Sequence, residues 1–421
     1  MTAEAIRETQ AAVDAVAQQS RARLVAFLAS QSRDVAAAED ALQEAFEAAL
    51  TTWPMQGRPR NPEAWLLTVA RHRLIDRMRR DRDSGDPEDI ERLAAAEQEP
   101  EALEIPDRRL ALLFACTHPA IDAAIRAPLM LQVVLGLQAS QIASVFLMSP
   151  VAMAQRLVRA KAKIRQAGIP FRVPERSELP ERLEGVLAAV YATYSEGWID
   201  AAGTDASRRE LAGEAIYLGR LLTELLPEEP EAWGLLALVL YAEARRRARR
   251  SAQGEFVPLS EQQTELWDAA MIDEAENALR RASALGHIGR FQLEAAIQSA
   301  HVERRRTGRV AWCAILELYE ALVRLTGSPV AQINRAVALA EVEGAEAGLH
   351  ALEGVAADVR VRTYQPYWAA RAELLARTGA RASALEAYEI AIGMEPDPAV
   401  RQFLEKKRSA DSVLVRPTQP C

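Results

Sequence analysis

Two segments of this 421-residue chain carry the residue types that hold a nucleic acid. The first runs from Asn61 to Arg80. In it Arg71, His72, Arg73, Arg77, Arg79 and Arg80 surround an apolar stripe of Trp65, Leu66, Val69, Leu74, Ile75 and Met78. Guanidinium groups beside an aromatic residue and a loop suit single-stranded DNA, whose phosphates need countercharge and whose bases stack. Read singly, Trp65 is a core residue and the arginines a solvated face. The second segment runs from Gly136 to Arg165 and reads as a helix, a short turn and a basic helix. Leu137, Ile142, Ala143 and Phe146 point inward from the first helix. Met148-Ser149 makes the turn, with Ser149 able to cap the basic helix. Met153, Leu157 and Ala160 form the inner face of that helix, while Gln155, Arg156, Arg159 and Lys163 fall outward. Such a helix fits the major groove. Upstream, Ala38 to Phe46 is an acidic amphipathic helix, either an ordinary surface or a docking face for a basic partner.

The elements that must position these groups are helical. Alanine, leucine, arginine and glutamate dominate and aromatics make up 5%, which predicts an all-α fold. The net charge of −8 excludes a uniformly basic coat. Its distribution is what matters. Arg58 to Arg82 holds eight arginines against three acids, whereas Asp83 to Asp107 holds ten acids against Arg92 alone. From Ala123 to Pro174 there is no acid at all. The three cysteines, Cys116, Cys313 and Cys421, lack disulfide or metal spacing, which fits a reducing cytoplasm. The N-terminus is polar and no window is long and apolar enough for a membrane span, so no membrane role is expected. The five histidines form no metal motif, and there is no glycine-rich phosphate loop or nucleophile elbow. The expectation is a non-enzyme without cofactor or metal, with Cys116 a buried thiol and His118 at a helix start.

The chain divides into four stretches. Residues 1–82 form a helical unit with Leu24, Phe27, Leu28, Val35, Leu42, Phe46 and Leu50 at helical spacing, then a loop broken by Pro54, Gly57, Pro59 and Pro62. Asn61 caps the next helix, with Pro62 at its first position. Residues 83–107 are an acidic linker. Residues 108–170 hold the basic helix pair. Residues 171–421 read as helix pairs with weak internal repetition around Trp233, Ala237, Ala282, Ala372, Ala384 and Tyr388, and with an insert around Arg245 to Leu259. Small residues where two helices pack closely resemble tetratricopeptide repeats; the competing reading is an irregular bundle.

Ala38 to Phe46 followed by Pro62 to Arg80 resembles region 2 of the sigma-70 family, in its extracytoplasmic-function group. Gly136 to Arg165 resembles region 4 of the same factors, with Arg156-Leu-Val-Arg-Ala-Lys161 in the family's arrangement. The Cys116-Thr-His-Pro segment, Ile169 to Pro174 and the long tail resemble the subgroup with a tetratricopeptide-like C-terminal extension. This resemblance implies a region 2 bundle, a region 4 helix-turn-helix, and binding to core RNA polymerase and promoter DNA. Glu39, Asp40, Gln43, Glu44 and Phe46 match the helix that docks on the β′ clamp helices, and the β flap is implied as a second contact. Loop residues Trp53 to Asn61, with Trp53, Arg58, Arg60 and Asn61 foremost, match the segment that captures an extruded −10 base. Arg71, Arg73, Asp76, Arg77 and Arg80 match the helix that holds the opened strand. Ala152, Gln155, Arg156, Arg159 and Lys163 match the −35 recognition helix. Ser140-Gln141, Leu147, Pro150 and Ala154 depart from the pattern, so the −35 sequence is not readable by analogy. The resemblance also implies a small regulatory protein partner of the DGPF/YCII type for the tail, which is expected to modulate activity. A second reading, a helix-turn-helix regulator with a sensing helical domain, leaves residues 1–82 idle.

Overall fold

A computed structural model describes residues 3–80, 108–146, 148–175, 177–199, 206–358, 361–362 and 364–413. Among them every regular element is a helix, apart from one isolated antiparallel bridge between Arg250 and Phe256, so the all-α expectation holds. The acidic stretch 83–107 lies outside the described residues. Contacts divide the chain into two units, residues 1–199 with 205–215 and residues 200–204 with 216–421.

Unit 1 opens with three mutually packed helices, α1 (Ala3–Ser32), α2 (Val35–Gln56) and α3 (Pro62–Arg80). Arg33 takes a left-handed φ of 54°, and Asp34 then caps α2 by accepting from Ala37 N at 3.1 Å. Gly57, at φ 87°, ends α2 in a conformation that side chains resist. Asn61 caps α3 by accepting from Ala64 N at 3.1 Å, and Pro62 opens the helix, as its sequence predicts. Leu24, Leu28, Leu42, Leu66 and Leu74 are fully buried. Leu50, expected inside, is exposed because the neighbouring Ala49 takes the inward position.

The same unit continues with α4 (Arg109–Cys116), α5 (Ala123–Leu135), α6 (Ala139–Val145), α7 (Pro150–Gln166) and α8 (Leu179–Ile199). Every residue from Leu110 to Cys116 is buried, because α4 is enclosed by α1, α5 and α8. Arg182 of α8 donates to Phe114 O at 2.9 Å. Gly136 does not start a helix. It is the left-handed cap that ends α5, at φ 73°, and a Cβ there would lie 3.0 Å from the Arg21 guanidinium. Ser149 caps α7 by accepting from Ala152 N at 3.2 Å.

The unit division falls within α9 (Ala206–Leu225). Beyond it come α10 (Pro230–Ala244), α11 (Ala269–Ala284), α12 (Arg290–Val302), the one-turn α13 (Arg304–Thr307), α14 (Trp312–Thr326), α15 (Pro329–Val342), α16 (Ala345–Glu353), α17 (Gln365–Arg377), α18 (Arg381–Met394) and α19 (Pro398–Val413). From α10 onward, each helix packs chiefly on its near neighbours in sequence. Small local cores result, one around Ile333, Ala336, Leu352 and Tyr367, another around Ala372, Ala384, Tyr388 and Leu404. The insert between α10 and α11 consists of short 3-10 turns and the single bridge. It ties back to the last helix through the Arg250–Asp397 and Lys406–Glu255 ion pairs and the Phe256–Phe403 edge contact, 5.4 Å between centroids.

Close approach in unit 2 depends on residues without side chains. A Cβ on Gly348 would lie 2.4 Å from Ala340 Cβ and 2.7 Å from Ala336 O. Gly348→Ala is therefore expected to destabilise unit 2 by about 1–3 kcal/mol, the usual cost of overpacking. Urea denaturation followed by circular dichroism checks this; an unchanged midpoint contradicts it.

Candidate nucleic-acid interface

The acids on α2 and the arginines on α3 face each other. Arg77 Nη1 lies 2.8 Å from Asp40 Oδ2, and Arg73 Nε lies 3.5 Å from Glu44 Oε2. All four side chains are between 44% and 59% exposed, so these pairs are weak and readily exchanged. Gln43 is exposed and donates to Glu47 at 3.4 Å. Phe46, expected on the docking face, is instead buried in the bundle core, because it falls in register with Val35 and Leu42. Asp76 is exposed on α3, and the side chain of Arg80 lies outside the described residues. Arg71 is half-buried with its guanidinium 5.0 Å from the Phe27 ring centroid, a cation–π contact that ties it to α1.

The loop is shorter than its sequence predicts. Trp53 is not in it: the residue lies in α2, buried, with its ring edge-on to Trp65 at 5.5 Å. The α2 helix runs through Pro54 and stops only at Gly57. Arg58 and Arg60 are exposed beyond that stop, and Asn61 is exposed while it caps α3.

Glu39 behaves differently from its acidic neighbours. Its Oε1 receives Arg21 Nη2 from α1 at 3.1 Å, and its Oε2 receives Lys161 Nζ from α7 at 2.9 Å. The Glu39 side chain is only 10% exposed and that of Lys161 14%. Arg21 also donates to Val133 O of α5 at 3.3 Å, so four helices meet at this carboxylate. Alongside, Arg165 of α7 lies 2.9 Å from Asp34. Beneath, the Cys116 thiol is pushed far above its ordinary range, first by burial and then by the Glu39 charge, and is inert as a nucleophile. His118 is in the turn after α4, accepting from Ala120 N at 3.1 Å, and burial with Arg182 and Arg126 nearby lowers its pKa.

The α7 helix has three faces. Met153, Leu157, Ala160 and Ile164 are buried. Lys161 and Arg165 meet α2. At about 100° per residue, Ala152, Gln155, Arg156, Arg159 and Lys163 share one arc of roughly 100°, set almost opposite the Lys161 side. All of these but Ala152, which is half-buried at the helix start, are exposed. Arg21, Lys161 and Arg165 are absent from the sequence-predicted site. For Arg21 the signal is a charge in apolar register, on one face with Leu24, Val25 and Leu28, as Glu39 is with Val35, Leu42 and Phe46; Lys161 and Arg165 lie beside the apolar face of α7 and give no such signal.

An uncharacterized protein of Rhizobium meliloti (strain 1021) is 38% identical over 406 residues, covering 93% of this chain and 94% of that protein. The chain belongs to its family. Residues 16–84 match the family model for sigma-70 region 2, which places that domain on α1 to α3. Residues 182–283 match a family of unknown function, DUF6596. Among the described residues, no three His, Cys, Asp or Glu side chains gather as a metal site. No helix of the described residues is long and apolar enough to cross a membrane.

Unit 2 has a partly open cavity of about 540 Å³ beside the insert, lined by Trp267, His301, Arg304, Trp312, Glu373 and Lys407 among others. Arg304 donates to the carbonyls of Leu259, Ser260 and Gln262 and lies 5.3 Å from the Trp267 centroid. His301 meets Trp312 edge-on, and burial, helped by the charges of Arg245 and Arg304, pushes its pKa down to about 4. The folded state thus resists a proton that the unfolded chain takes up near 6.5. Stability from this residue is full above about pH 6.5 and falls as the pH drops toward about 4. At pH 5 the loss relative to pH 7 is expected to be about 2 kcal/mol, and His301→Phe removes it. Denaturation of both proteins at the two pH values checks this; equal pH slopes contradict it.

Proposed function

We propose that the chain is an RNA polymerase sigma factor of the extracytoplasmic-function group, directing promoter-specific transcription initiation from the cytoplasm. The observation that carries this is the sigma-70 region 2 match on residues 16–84, whose helices hold both an acidic outer face and the arginine-bearing α3. A polymerase core cannot select a start site alone, so a bridging subunit must hold it and the promoter together. Asp40, Gln43 and Glu44 dock on the β′ clamp helices, while Glu39, expected among them, is turned inward to Arg21 and Lys161 and holds α2 in place behind that face. Arg58, Arg60 and Asn61 receive the extruded −10 base, and Arg73 and Arg77, beside Asp76, hold the opened strand. Phosphates replace Asp40 and Glu44 as partners of the two arginines, an exchange that exposed ion pairs permit cheaply. Trp53 and Phe46 support this surface from the core. Unstacking a base costs a few kcal/mol, which the loop contacts return.

The pair α6 and α7 acts as a region 4 helix-turn-helix, with α7 in the major groove of the −35 element. Ala152 and Gln155 sit near the helix start, where base edges are met, and Arg156, Arg159 and Lys163 reach phosphates. Residues 83–107 join the two DNA contacts, and the β flap receives the second module. The tail, tetratricopeptide-like in the sequential packing of its helices, modulates activity and takes a small regulatory protein as partner. No cofactor is required.

Purified protein added to core polymerase freed of other sigma factors is expected to start transcripts from genomic template. Arg156→Ala with Arg159→Ala should weaken −35 duplex binding by about 1–3 kcal/mol and flatten its salt dependence. Arg73→Ala with Arg77→Ala should leave duplex binding nearly intact and reduce permanganate reactivity of the opened strand. A protein that neither associates with core nor yields transcripts contradicts the assignment, and loss of duplex affinity alone in both double variants contradicts the division of labour.

A further inference from the structure

The cavity in unit 2 combines an apolar, largely aromatic wall with charged groups that are already engaged. Val310, Trp312, Val337, Ala369, Ala370 and Phe403 line it and keep part of their surface exposed. A volume of about 540 Å³ falls within the range of small-molecule sites, roughly 300–1,000 Å³. Ala369 and Ala370 on α17 leave the space open, since a larger side chain at either position would enter it. The opposite wall is the insert, and it is fixed in place. Arg304 donates to the carbonyls of Leu259, Ser260 and Gln262, and the insert is fastened to α19 and the turn before it through the Lys406–Glu255 and Arg250–Asp397 pairs. We propose that this cavity is a binding site for a small, uncharged aromatic molecule.

The charges decide the class of ligand. Three acids and three bases line the cavity, Glu261, Glu341 and Glu373 against Arg304, Arg377 and Lys407. Arg377 pairs with Glu341, and Glu373 takes Lys407 Nζ at 3.4 Å and the Tyr388 hydroxyl at 3.2 Å. Arg304 is occupied by the insert carbonyls. An anionic ligand therefore finds each cation taken, and in displacing a carboxylate it leaves that like charge beside itself. A cationic ligand fares no better. Arg304 lies 5.3 Å from the Trp267 ring centroid and Lys407 5.8 Å from that of Phe403, so these rings already hold positive charge. Glu261 faces solvent, where a charge contributes little. His301 in the same wall is kept uncharged at neutral pH by burial and by the charges of Arg245 and Arg304. What remains on offer is apolar area with the Trp312 and His301 rings, edge-on at 5.6 Å between centroids, a surface that suits a flat aromatic body. An extended peptide is a poorer occupant, because its amides need hydrogen-bond partners that the engaged side chains do not supply.

The neutral fluorophore N-phenyl-1-naphthylamine, titrated into the full-length protein, tests the site. Saturable binding, one molecule per chain, is expected. Two charged compounds of related skeleton, 8-anilinonaphthalene-1-sulfonate and 1-naphthyltrimethylammonium, are expected to bind about tenfold more weakly by calorimetry. Ala370→Phe fills the space from α17 and should weaken the neutral probe by about tenfold or more, with helix content unchanged by circular dichroism. Val310→Trp fills it from the loop before α14, and decides the matter if the first variant fails to fold. Absence of saturable binding by the unaltered protein overturns the site. So does unchanged affinity in a folded, filled variant, which puts the probe on an exposed apolar patch elsewhere. Tighter binding of either charged compound overturns the assignment of an uncharged ligand. All lining residues belong to unit 2 and no measurement needs polymerase, so the outcome is independent of the sigma-factor reading.

Discussion

Unit 1 turns on one carboxylate. Glu39 joins α1, α2 and α7 through two cations, and Arg21 extends the junction to a carbonyl of α5. In water such contacts are worth little, but here the carboxylate is almost wholly shielded, where its desolvation is repaid only while both oxygens are engaged. Removing one partner from such a buried group typically costs about 3–5 kcal/mol, far more than losing an exposed pair. Both cations therefore contribute to keeping the shared carboxylate satisfied in its shielded position. Gly136 sits at the same junction: its φ of 73° favours glycine, and a Cβ there would press on the Arg21 guanidinium at 3.0 Å.

Around that junction the charges divide by depth. Pairs at the rim, between α2 and α3, neutralise a surface that faces solvent and stay exchangeable. The α7 helix separates its roles by angle: one side is core, one side meets α2, and one side is open. Arg159 and Lys161 thus take different roles although only Ala160 separates them in sequence. Helical geometry, rather than sequence distance, decides which of them meets protein and which meets solvent.

Much of this is legible from the residues. The all-α fold follows from composition, and the caps at Asn61 and Ser149 follow from residue type and position. The sequence puts Trp53 in a loop because the prolines and Gly57 read together as one break. Pro54 removes a backbone donor, yet α2 continues through it for most of another turn until Gly57 supplies a left-handed exit. Phe46 and Glu39 show the complementary limit. Both lie on the apolar side of α2; the family pattern puts Phe46 on the surface, and its register with Leu42 argues otherwise. The pairing of Glu39 with Lys161 joins residues 122 positions apart, and no local pattern encodes a contact at that separation. What the sequence does carry is the anomaly, a charge in apolar register, without its partner.

Unit 2 obeys a different rule. Helices that pack mainly on sequence neighbours build a row whose ends are free, and such rows ordinarily offer a long concave surface. Here the insert after α10 reaches α19 through Arg250, Glu255 and Phe256. A contact of this range converts a row of nearest-neighbour packings into a structure whose two ends depend on each other. The cavity beside the insert is a consequence, since its lining draws on the insert, on α12 and α14, and on α17 to α19.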